Sequence, residues 1–249
     1  MRQARAPQRG RMPWPARSAQ TACAVFRGFL PQSFSDYTGH IAAVLFTGGC
    51  NFRCRFCYNA PLVLEHDKLP ALPAHQALEE LRRRAGFIDT VVVSGGEPTL
   101  HSWLPDFLRE LRGLPLRVGL DTNGSNPQAL AVVIEENLAD RIAMDLKAPF
   151  HKYEAVTGAK GVEQLVARSL RLVVKTEHEI RITLHPSLHS EEDVRAMGSL
   201  LAQVGARKVA LQSFKPWKVL DPTLERGPSY SRSELERFAR WFPGTVIIR

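Results

Sequence analysis

Nowhere in the 249-residue sequence does an uninterrupted apolar run approach the roughly 18 residues needed to cross a bilayer, so a soluble protein with no membrane span is expected. Cysteine is scarce. Of the four present, three are crowded between positions 50 and 57, which is no disulfide framework and fits a reducing, cytoplasmic setting. Acidic residues are absent from the first 35 positions. Arg2, Arg5, Arg9, Arg11, Arg17 and Arg27 in that stretch supply six of the eight net positive charges, leaving +2 for everything after it. The charge of +8 therefore does not make the body of the chain a nucleic-acid binder. Pro7, Pro13 and Pro15 break any continuous helix there, and residues 1–25 read as a basic, flexible extension. A transit peptide, an electrostatic docking arm or sequence ahead of the true start are the other readings. Cys23 within it reads as a lone thiol. No repeat stands out, and no linker follows residue 40.

The remaining residues, 26–249, form one domain in this reading, since a chain of this length with 44% hydrophobic residues can bury a single large core. Residues 25–40 carry turn chemistry at Pro31, Asp36 and Gly39, and Pro61 to Pro73 is irregular. Between and beyond these stretches, strand and helix patterns alternate. Strands are expected over Ile41–Phe46, Thr90–Val93, Leu116–Leu120, Arg141–Leu146, Ile180–Leu184 and Lys208–Leu211, with a short closing strand over Thr245–Ile248. Helices are expected over Ala74–Arg84, Trp103–Leu111, Pro127–Asn137, Val162–Val174, Glu191–Val204 and Ser233–Trp241. That order predicts an α/β protein with a parallel sheet wrapped by helices. Six units are too few for a closed eight-stranded barrel, and an open, partial (β/α)6 barrel of the TIM type is the expected outcome.

Side chains alternate faces along a strand. Ile142, Met144 and Leu146 therefore oppose Ala143, Asp145 and Lys147; Ile180, Ile182 and Leu184 oppose Arg181, Thr183 and His185; Leu116, Val118 and Leu120 oppose Arg117, Gly119, Asp121 and Asn123. If the apolar faces meet the helices, the charged faces line the barrel interior near the carboxyl ends of the strands, where barrel enzymes hold their sites. Charges enclosed in that way must pair with one another or meet a polar ligand.

After the first strand, Gly48-Gly49 open a loop in which Cys50, Cys54 and Cys57 form a C-x3-C-x2-C array. Thiolate-only sites suit zinc or an iron–sulfur cluster. Structural zinc wants four ligands and the vicinity offers no fourth, whereas three thiolates on a four-iron cluster leave one iron open. With Phe56 before the third cysteine, the array resembles the C-x3-C-x-aromatic-C signature of the radical S-adenosylmethionine (SAM) enzymes. The resemblance implies a 4Fe–4S cluster on Cys50, Cys54 and Cys57 that cleaves SAM, and it shares the partial-barrel fold expected above.

Three further stretches extend the likeness. Gly95-Gly96-Glu97 after the second strand looks like the motif that holds the SAM amino group in that superfamily. Asp121-Thr122-Asn123-Gly124 and Asp145-Leu146-Lys147 resemble signatures of glycyl-radical-enzyme activating enzymes. By match, Asn123 and Lys147 would meet the SAM ribose or carboxylate, Arg181 would point into the same site, and Asp121, Thr122 and Asp145 would hold a monovalent cation. Two departures stand out: Tyr58 replaces the histidine more usual after the third cysteine, and Leu211-Gln212-Ser213 lacks a ribose-binding histidine. The whole resembles most the activating proteins of anaerobic ribonucleoside-triphosphate reductase. That implies a glycyl radical enzyme as partner and flavodoxin or ferredoxin as electron donor. A small-molecule radical SAM enzyme such as 7-carboxy-7-deazaguanine synthase and a non-catalytic iron–sulfur or zinc-binding protein are the alternatives.

Overall fold

A computed structural model describes Thr21 and residues 23–249. Most of the basic extension read over residues 1–25 lies outside the described residues. Of its last three positions, Cys23 is exposed, Ala24 is buried and Val25 opens a strand. Among the described residues nine strands make one sheet: β1 (Val25–Ser33), β2 (Ala42–Thr47), β3 (Leu72–Pro73), β4 (Thr90–Gly95), β5 (Arg117–Thr122), β6 (Arg141–Asp145), β7 (His178–Leu184), β8 (Lys208–Ser213) and β9 (Thr245–Ile248). Their order is β3-β1-β2-β4-β5-β6-β7-β8-β9, with the two end strands unpaired to each other, so the sheet curls without closing. Every pairing from β2 to β9 is parallel. The helices are α1 (Ala60–Leu64), α2 (Ala74–Arg84), α3 (Leu104–Leu111), α4 (Pro127–Glu135), α5 (Tyr153–Thr157), α6 (Glu163–Val173), α7 (Glu191–Val204) and α8 (Arg232–Ala239).

The elements form where local chemistry demands them. In α2 the buried residues Ala74, Ala77, Leu78 and Leu81 recur at helical spacing, and Arg82, Arg83 and Arg84 close its last turn, where the helix dipole favours cations. Helices α7 and α8 both begin in capping boxes, Ser190 with Asp193 and Ser231 with Glu234, and α7 ends on left-handed Gly205. Helix α4 starts on Asn126, whose side chain accepts from the Ala129 amide, and stops two residues short of the expected Asn137, which has a positive φ. Pattern reading missed the short elements α1, β3 and α5 and, above all, β1, which pairs antiparallel with β2 and with β3. Pro31 disguises it. The register with β2 skips between Leu30 and Ser33, so Pro31, which has no amide hydrogen to give, sits in a bulge.

Both faces of the sheet are as the alternation predicts, with exceptions at Arg117 and at His185, whose buried ring packs on Phe214 in the core. Ile142, Met144, Leu146, Ile180, Ile182 and Leu184 join the core against the helices. Arg117, assigned to the interior face, is exposed at the start of β5. The interior floor is apolar and separate: Tyr37 from the β1–β2 loop packs with Ala42, Val44 and Val92, and Gly119 makes room for its ring. The Arg141 guanidinium lies 3.9 Å from that ring's centre and donates to the Asp36 carbonyl. The β1–β2 loop thus plugs the amino end of the barrel and leaves the carboxyl end as the opening.

Candidate active site

The three cysteines come together at that opening. Cys50, Cys54 and Cys57 are free thiols on the wall of a cleft of about 630 Å3, which they share with Ser94, Asp121, Asp145, Lys147 and Arg181. The loop that carries them is anchored on several sides. Phe52 and Phe56 are buried, the Arg53 and Arg55 amides donate to the α5 carbonyls of Thr157 and Val156, and the Leu220 amide donates to the Cys57 carbonyl. Burial raises the Cys50 thiol and pushes Cys54 up to about 12, so these two thiols hold their protons, and metal binding would release them. Among the described residues no three His, Cys, Asp or Glu side chains are grouped to hold a single metal ion. Three thiols on one wall of a polar cleft fit a larger, cluster-type centre better than mononuclear zinc.

Gly95 and Gly96 let the end of β4 lie against this loop. Gly95 has φ +120°, and a Cβ on Gly96 would fall 1.9 Å from the Gly49 carbonyl oxygen. The Glu97 amide donates to that same oxygen. Glu97 is fully buried, and both its carboxylate oxygens are occupied: one accepts from the Thr99 amide and hydroxyl and the Thr122 hydroxyl, the other from the Asn123 amide at 2.6 Å. Burial raises its pKa against these donors. In this arrangement Glu97 ties the end of β4 to the turn after β5.

Across the cleft runs a ladder of charge. The Arg181 Nε donates to Asp145 at 2.7 Å and its Nη1 to Asp121 at 3.0 Å; Lys147 Nζ donates to Asp145 at 2.9 Å and Ser94 Oγ to Asp121 at 2.9 Å. Burial works against the Asp145 charge, but Arg181 and then Lys147 outweigh it and hold this carboxyl down to about 2. For Asp121 burial dominates and the pKa is raised. Its Oδ1 is buried without a partner among the described residues, an acceptor left for a donor from a bound molecule. Burial opposes the Lys147 charge too, yet Asp145 and then Cys54 hold its pKa above the ordinary lysine range.

The structure brings Cys50, Cys54, Cys57, Phe56, Gly95, Gly96, Glu97, Asn123, Lys147 and Arg181 to one cleft. Asp121, Thr122 and Asp145, the cation ligands expected from resemblance, line the same cleft; the guanidinium of Arg181 stands between the two aspartates, and the Thr122 hydroxyl is turned to Glu97. Asn123 directs its amide hydrogens at Asn51 Oδ1, 3.0 Å away, and Cys50 Sγ, 3.7 Å away. Thr183, placed on the inward face by strand alternation, lines the cleft; sequence reasoning missed Ser94, Asn51, Gln212 and Trp217 as lining or supporting residues. Only Ser94 carried a signal, as the neighbour of the glycine pair.

Two supports lie just outside. His189, fully buried, donates from Nε2 to the Lys147 carbonyl and accepts at Nδ1 from the His185 amide, and burial pushes it down to about 4. Tyr58 clamps the segment after β8: its hydroxyl accepts from the Lys215 amide at 2.7 Å and donates to the Lys215 carbonyl at 3.0 Å, with its ring stacked on Phe214.

A parallel partial barrel with a three-cysteine loop at the mouth defines a class, and the sequence agrees: residues 44–200 match the Radical SAM superfamily, and the chain belongs to it. A Methanocaldococcus jannaschii protein provisionally named a glycyl-radical enzyme activating enzyme is 29% identical over 241 residues, which span 91% of this chain and 96% of the relative. The 7-carboxy-7-deazaguanine synthase of Methanopyrus kandleri is 30% identical over 148 residues, 51% of this chain and 58% of that protein. In fold, Streptococcus suis SuiB bound to precursor peptide SuiA superposes with a TM-score of 0.65 at 14% identity, over 83% of this chain and 48% of SuiB. No helix among the described residues is long and apolar enough to cross a membrane.

Proposed function

We propose that this radical SAM enzyme is a cytoplasmic glycyl-radical-enzyme activating enzyme whose target is anaerobic ribonucleoside-triphosphate reductase or another glycyl radical enzyme, with flavodoxin or ferredoxin as the electron donor. The observation that carries the reading is the facing of Cys50, Cys54 and Cys57 with the Lys147–Asp145–Arg181–Asp121 ladder across one open cleft. Support comes also from the end-to-end match to the M. jannaschii relative.

Cys50, Cys54 and Cys57 would hold a 4Fe–4S cluster, which when bound supplies the electron that splits SAM into methionine and a 5′-deoxyadenosyl radical. The chain's own residues would do the positioning. Lys147 and Arg181 offer cationic donors to the SAM carboxylate, the free oxygen of Asp121 accepts from an ammonium or hydroxyl, and Phe56 presents a buried apolar wall. Gly95 and Gly96 let the end of β4 pack against Thr47 and Gly49, where a Cβ would clash, and so fix the wall of the cleft. Transfer of one hydrogen atom from a glycine Cα of the partner would yield 5′-deoxyadenosine and the glycyl radical.

The test is to incubate the reconstituted, reduced protein with SAM and a glycyl-radical reductase and record the electron paramagnetic resonance spectrum. A protein-based organic radical, lost on mutation of the target glycine, is the expected result. SAM cleavage without that radical, together with turnover of a small pterin, would replace this reading with the deazaguanine-synthase one.

A further inference from the structure

One of the three cysteines is treated differently from the others. Cys50 Sγ receives the Phe52 amide at 3.3 Å and the Asn123 Nδ2 at 3.7 Å, whereas among the described residues no comparable donor reaches the sulfurs of Cys54 or Cys57. The Asn123 amide is fixed in this direction. Its Oδ1 accepts from the Ser125 amide at 2.8 Å, which leaves the two Nδ2 hydrogens to Asn51 Oδ1 and to Cys50. The Asn51 oxygen also accepts from the Ser125 hydroxyl at 3.3 Å, which closes the ring of contacts. Behind it, the buried Glu97 carboxylate takes the Asn123 main-chain amide at 2.6 Å and sets the turn that presents this side chain. With both amide hydrogens committed and only 5% of its surface exposed, Asn123 has little left for a ligand in the cleft.

We infer that Asn123 is a positioning residue that sets the reduction potential of the cluster through a hydrogen bond to the Cys50 sulfur, with Glu97 holding it in place. A donor aimed at a ligand sulfur stabilises the extra negative charge of the reduced cluster, so it favours reduction. The low dielectric of a buried loop strengthens the effect. The role differs from the ribose or carboxylate contact that motif resemblance assigns to this residue, and it rests on the cluster reading above.

The experiment is a redox titration of the anaerobically reconstituted protein followed by electron paramagnetic resonance, on the wild type, Asn123→Leu and Asn123→Asp. Leu removes both donors at similar volume. Asp keeps the acceptor for Ser125 and puts negative charge beside the sulfur. The midpoint should fall in Asn123→Leu and fall further in Asn123→Asp, with about a tenfold loss in the reduced-to-oxidised ratio at fixed poise, or ~59 mV for one electron. Equal potentials in fully loaded wild type and variants, or a rise in the variants, overturn the inference. If neither variant loads iron, pulsed resonance on reduced wild type carrying 15N-labelled asparagine side chains decides the matter. A coupled amide nitrogen supports the bond, and its absence overturns it. Wild type without iron would instead sink the cluster reading itself.

Discussion

Arg181 Nε lies 2.7 Å from Asp145 Oδ1, and the two residues are register partners on β7 and β6, so their bond is the cross-strand rung at the centre of the charge ladder. The same guanidinium reaches Asp121 at 3.0 Å on the next strand over. One cation therefore bridges two carboxylates that would otherwise repel inside the barrel. Removing it leaves Asp121 with only the Ser94 hydroxyl and Asp145 with only Lys147. Arg181→Met should destabilise the protein by about 3–5 kcal/mol, the usual cost of leaving buried charge uncompensated. Arg181→Lys should recover part of that but lose the two-pronged geometry, and with it SAM affinity. Chemical denaturation and equilibrium dialysis with SAM read the two effects separately.

The buried His189 makes stability depend on pH. Its folded pKa is depressed to about 4 from 6.5, because burial disfavours the imidazolium and Nδ1 must accept from the His185 amide. The neutral form is thus the folded form. Its contribution is present in full above pH 6.5 and is lost as pH falls toward 4, an order of about 3 kcal/mol at 1.36 kcal/mol per unit. Urea unfolding at pH 7.5 and pH 5 should show the drop. His189→Gln, which keeps a donor and an acceptor without titrating, should flatten it.

The Tyr58 clamp predicts a local effect. Tyr58→Phe removes both hydrogen bonds to Lys215 while keeping the ring against Phe214. Global stability should fall by only about 1–2 kcal/mol. Amide hydrogen exchange over residues 214–221 should quicken markedly, because that segment's pairing with the cysteine loop, Leu220 to Cys57 and Asp221 to Arg55, depends on the clamp. Unchanged exchange there would show that the Arg55–Asp221 ion pair holds the segment without Tyr58.

The parallel core was legible because buried strands such as Thr90–Gly95 and Arg141–Asp145 are short apolar runs bounded by turns, and because charges at Asp121, Asp145 and Arg181 could only face inward. The cysteine loop was legible because its spacing is local, and its three thiols reach one cleft. What sequence hid was of two kinds. Strand β1 was hidden by Pro31, whose tolerance depends on a bulge that only pairing reveals. The other is long-range hydrogen bonding. Nothing in the order of residues says that Thr122 turns to Glu97, that Asn123 turns to Cys50, or that Tyr58 meets Lys215 across 157 positions. The same holds at the expected cation site, where the order of residues does not show that Arg181 sits between Asp121 and Asp145.

The most direct test of the account is the fate of SAM. Anaerobically reconstituted protein should bind about four irons per chain, and on reduction should release 5′-deoxyadenosine and methionine from SAM, measured by chromatography. Cys54→Ala should abolish both. A protein that loads zinc in place of iron, or that carries a reduced cluster and leaves SAM intact, would contradict it.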